Sequence, residues 1–108
     1  MLQVKDIETR FKKIDHAIGM AYKACNSAAD ASPQLVECLT RLNKQSILVK
    51  QAVQANDEAK IVKSVDELEM IGDEAERACI KDTHATSSIK DAVGKVHRDL
   101  SELKHQLH

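Results

Sequence analysis

The sequence predicts an all-α protein, an up-down-up-down bundle of four helices forming one domain over residues 1–108. Three observations carry this. Four helix-length segments each place apolar residues at alternating three- and four-residue steps, a spacing that returns to one helix face every seven residues. The connections between the segments are short, which favours antiparallel neighbours. One Pro and three Gly in 108 residues leave little material for the tight turns of a β protein.

The first helix is expected from about Leu2 to Asp30, with the stripe Val4, Ile7, Phe11, Ile14, Ile18, Ala21, Cys25 and Ala28. The polar, small-residue stretch from Ser27 to Ser32 stops it. Ser32-Pro33 opens the second helix, because Ser caps well and Pro is preorganised for the first helical position. That helix carries Leu35, Leu39, Leu42, Val49 and Val53, with Ser46 interrupting the stripe, and ends near Ala55. At Asn56-Asp57-Glu58, Asn tolerates the left-handed conformation that ends helices and Asp57 can cap the next one. The third helix carries Ile61, Val65, Leu68, Gly72, Ala75 and Cys79.

The segment Asp82 to Ser88 is rich in side chains that compete for backbone hydrogen bonds. Ser88 followed by Asp91 resembles a capping box that would start the fourth helix. Its stripe is Ile89, Val93, Val96, Leu100, Leu103 and Leu107. The alternative is a three-helix bundle in which the third and fourth helices fuse through residues 82–88. A long fused helix would need a homodimer to cover its exposed seam.

Phe11 and Tyr22 are the only aromatics and there is no Trp. The core therefore relies on aliphatic residues and Ala, which suits closely packed helices. The net charge of −1 gives no reason to expect nucleic acid as a partner. Met1 to Asp6 has no basic region followed by an apolar run, and no stretch approaches the roughly 20 apolar residues needed to span a bilayer. No membrane role is expected, and a cytoplasmic location is, with reduced cysteines.

Charge is uneven along the chain. Residues 57–82 hold four basic and nine acidic side chains, a balance of −5. Asp66, Glu69, Asp73 and Glu76 form a row beside the apolar seam. The row reads either as a surface for cations or basic partners or, more simply, as flanking charge that pairs with Arg41, Lys44 and Lys50 of the second helix.

Antiparallel helices bring distant cysteines together. Cys25 and Cys38 lie about 10 Å below the first turn, and Cys79 about 8 Å below the third turn at the same end. The three thiols form one candidate layer. Core packing explains them most simply, since Cys behaves as a small hydrophobe. Thiol redox chemistry and a metal are the alternatives. Three Cys with His84 would match a structural zinc set, although no CxxC or HxxxH pair is present and His84 would have to reach down about 7 Å. Ala21, Ala24, Ala28, Gly72, Ala75 and Ala78 line the same end. They imply either close approach of helices one and three or a narrow apolar pocket, and close packing favours the first.

Other chemistry finds no support in the sequence. The Glu-x-x-His pairs of di-iron bundles are absent, as are GxGxxG, Walker and GxSxG motifs, so neither cofactor nor catalytic residue is expected. His84 in THATSSIKD lacks the Lys-Gly context of histidine phosphotransfer modules. Glu67 to Ala78, ELEMIGDEAERA, resembles the helix of phosphate-transport regulators that carries an E-x-x-x-D metal motif, here Glu69 and Asp73. The partner repeat is absent, and no metal is carried over. The chain as a whole, notably ACNSAADASPQLVECL and DELEMIGDEAERAC, is similar to small uncharacterised proteobacterial proteins. That resemblance implies a bacterial cytosolic helical protein and no particular activity. The expectation is a non-enzymatic interaction or structural protein whose partner is another protein or a second copy. The alternative is a ligand- or redox-responsive module using the cysteine end.

Overall fold

The computed structural model describes residues 3–28, 31–82 and 85–108. It contains α1 (Val4–Ser27), α2 (Pro33–Gln54), α3 (Glu58–Lys81) and α4 (Ser87–Leu107). Each helix packs on its neighbours in sequence, and α4 closes the ring against α1. The molecule measures 40 × 21 × 18 Å. Its long axis matches the roughly 36 Å length of a 24-residue helix, so the helices run side by side along the whole particle.

The predicted stripes are the core. Ile7, Ile18, Leu35, Leu42, Val49, Ile61, Val65, Leu68 and Leu100 are completely buried. Ser46, which breaks the α2 stripe, is also buried and donates its hydroxyl to the Asn43 carbonyl at 2.7 Å. Its polar group is thereby satisfied inside its own helix.

The helix boundaries follow local chemistry. The Ser32 hydroxyl accepts from the Leu35 N–H, and the Asp57 carboxylate accepts from the Lys60 N–H, each at 3.2 Å. Asn56 takes the left-handed conformation at φ 54°. The start of α4 differs from expectation. Thr86, not Ser88, is the N-cap, and its hydroxyl accepts from the Ile89 N–H at 3.2 Å. Any hydroxyl in this Ser/Thr-rich segment can cap, and starting at Thr86 adds two residues to the helix while Asp91 stays exposed. The fused third helix does not form, because α3 ends at Lys81 and Asp82 turns to extended geometry at ψ 105°.

Small residues at the cysteine end do not draw α1 and α3 together. The extensive contacts are between ring neighbours, which leaves α1 and α3 on a diagonal. Larger side chains from α2 and α4 fill the space instead. A Cβ built on Gly72 would lie 3.1 Å from Leu100 Cδ1 and 4.0 Å from Leu42 Cδ2.

The burial pattern separates two nearby positions on α3. Leu68 is completely buried and Met70 is 60% exposed. Leu68→Asp would place an unpaired charge in the core, at a cost on the order of 4 kcal/mol. We expect it to unfold the domain in a circular dichroism melt, while Met70→Asp melts like the parent. Equal melts for both would refute the assignment of faces.

Candidate functional site

The cysteine end is organised by a contact between the end of α3 and the head of α2. Asp82, the C-cap of α3, is buried, and its Oδ2 accepts the Ser32 N–H at 2.9 Å. The Asp82 N–H in turn donates to the carbonyls of Ala78 and Cys79. One residue thus closes α3 and ties it to the start of α2. Its carboxylate stands at the α2 N-terminus, where the helix dipole favours negative charge.

The three cysteines are buried free thiols at this end of the bundle, but they sit in two different surroundings. Burial pushes the Cys25 thiol above its ordinary value of 9.0, with Asp82 and then Cys79 adding to the rise. Cys79 is raised by burial, with Lys90 opposing and Asp82 adding. Cys25 and Cys79 therefore share the field of Asp82. Cys38 is raised by burial and by Glu74, with Arg41 opposing, and faces the α2–α3 flank. His84, the fourth member of the imagined zinc set, lies outside the described residues. Among the described residues no group of three or more His, Cys, Asp or Glu side chains could hold a metal ion.

The acidic row of α3 pairs with α4, not with α2. Glu69 contacts Lys104 at 3.4 Å and Asp66 contacts His108 at 2.9 Å. Nearer the cysteine end, His97 Nε2 lies 3.3 Å from Asp73 and Nδ1 lies 3.2 Å from Glu76. A protonated imidazole can donate to both carboxylates at once, whereas a neutral ring can donate to one only. His97 was not legible as a site residue, because its spacing along the sequence matches no motif. Its position next to the seam residue Val96 was the signal available in the sequence.

Arg41 and Lys50 of α2 find other partners, and Lys44 has no ion-pair partner among the described residues. Arg41 Nη1 meets Glu74 Oε2 at 2.6 Å, and this contact raises the guanidinium pKa. Lys50 meets Asp15 of α1 at 2.8 Å. The Gln45 side chain donates to the Ser64 carbonyl at 3.1 Å and to the Glu67 carboxylate at 3.2 Å. Below that bridge the α2–α3 flank opens into a groove of about 450 Å³.

No helix among the described residues is long and apolar enough to cross a membrane. The chain matches no protein-family model, no curated protein and no solved structure.

The raised thiols set the sign of an alkaline effect. Above the ordinary value of 9.0 a thiol ionises in the unfolded chain while its buried counterpart stays protonated. The stabilisation is complete below that pH and is lost as pH rises through the folded-state values. Replacing all three cysteines by Ala should therefore flatten the alkaline fall in melting temperature relative to the parent. An unchanged pH profile would contradict the burial of these thiols.

Proposed function

We propose that this chain is a non-enzymatic interaction protein that presents a rigid helical surface to a polypeptide, either a different protein or a second copy. The observation that carries this reading is on α2. Its inner face is buried along the full length, yet Ile47 and Leu48 stand side by side at 48% and 49% exposure. Apolar surface gains roughly 25 cal/mol for each Å² removed from water. Adjacent aliphatic side chains on a charged helix surface are what a protein contact would cover. The raised pKa values of the three thiols favour this reading over the redox-responsive alternative, because the thiolate is the reactive form.

Native mass spectrometry of the chain isolated gently from its own cells tests the proposal. We expect the 12.0 kDa chain in a complex with a second polypeptide or with its own copy. Bare chain alone would refute the reading. A chain carrying only a metal or a small apolar ligand would transfer the function to the cysteine end.

A further inference from the structure

The groove between the lower halves of α2 and α3 has a definite chemical character. Leu48, Ala52 and Ala55 line its α2 side, while Lys60, Lys63 and Glu67 line its α3 side. Its α2 wall runs from Gln45 to Ala55, about 15 Å, or nearly three helical turns. Half-exposed Ile47 adjoins Leu48 and extends the apolar strip outwards.

The charges on this flank are unbalanced. Glu67 already accepts from the Gln45 amide. Asp66, Glu69, Asp73 and Glu76 are engaged on the opposite flank of α3. Among the described residues neither Lys60 nor Lys63 has an ion-pair partner. Both side chains are exposed, so each keeps its charge available to an incoming group. An apolar wall facing a lysine edge is complementary to a helix with apolar residues at three- and four-residue steps flanked by carboxylates.

We propose that this groove receives an acidic amphipathic helix from a different protein. The proposal rests on the reading of the chain as an interaction protein and names the surface and partner chemistry. A second copy docked groove to groove is a poor occupant. Two concave faces leave the apolar wall uncovered, and the second groove brings its own Lys60 and Lys63 and no row of carboxylates to meet them.

The test uses the full chain, isotope-labelled for amide NMR, and a designed helical peptide with Leu at three- and four-residue steps flanked by Glu. The same peptide with Lys in place of Glu is the control. Shifts should concentrate at Leu48, Ala52, Lys60 and Lys63 and weaken with added salt. Lys60→Glu/Lys63→Glu should lower affinity about tenfold, equivalent to roughly 1.4 kcal/mol, and Leu48→Glu should abolish binding. All three sites are exposed, so the parent amide spectrum reports whether each variant is folded. Equal binding of the Lys peptide, no shifts, shifts elsewhere, or self-association through these same amides would each overturn the proposal. Native mass spectrometry of the Leu48→Glu variant separates the two levels. A polypeptide complex that survives this change refutes the groove alone, whereas a parent chain with no polypeptide bound refutes the interaction reading itself.

Discussion

The fold depends on closing four aliphatic seams with almost no aromatic volume, and the packing over Gly72 shows how closely the seams meet. Leu100 of α4 and Leu42 of α2 both reach over this position, one within 3.1 Å and the other within 4.0 Å of where a Cβ would stand. Interiors pack at nearly crystalline density, so a missing side chain on one helix must be met by a larger one from another. Ala21 and Ala75 of the diagonal pair are completely buried on the same principle. Their small size leaves room for the leucines of α2 and α4.

Polar interactions then fix how the seams are arranged around the ring. Asp82 ties the end of α3 to the head of α2. The α3–α4 flank is closed by the acidic row with His97, Lys104 and His108. The α2–α3 flank is closed near the cysteine end by Arg41 and Glu74 and at mid-height by Gln45. Exposed pairs of this kind contribute little stability one by one. Their effect is to favour one order of helices and one register over the alternatives. The lower part of the α2–α3 flank lacks such a closure, and there the lysines and Leu48 face the groove.

Much of this architecture was legible in the sequence, for a plain reason. A seam at three- and four-residue steps encodes which face is buried, and Ser32, Asp57 and Asn56 encode the breaks through their own hydrogen bonding and backbone preferences. Thr86 was missed because the segment offers several competent hydroxyls in a row, and the choice among them depends on where Ile89 must enter the core. The partner of the acidic row was missed for a different reason. A charged row on one flank of α3 can face either ring neighbour, and the direction in which the bundle turns decides which. The seam spacing is the same for both hands. The cysteines show the same division, since depth follows from counting residues from a turn and direction around the helix does not. Cys38, counted to the same depth as Cys25, feels Arg41 and Glu74 on the outer flank. The groove was not anticipated, because it arises from two helices together and leaves no pattern in either one.

Thermal denaturation of two glycine variants tests the packing around Gly72 most directly. Gly94 lies within α4, and a Cβ there would meet no atom within 4 Å. Gly94→Ala should stabilise the bundle by about 0.5–1 kcal/mol through helix propensity alone. Gly72→Ala has the same intrinsic gain, but its methyl group must displace the fully buried Leu100, and overpacking of this kind costs about 1–3 kcal/mol. Gly94→Ala should therefore melt above the parent and Gly72→Ala below it. Equal stabilisation by both substitutions would contradict the close packing of Leu100 over Gly72 and, with it, the register of the four seams.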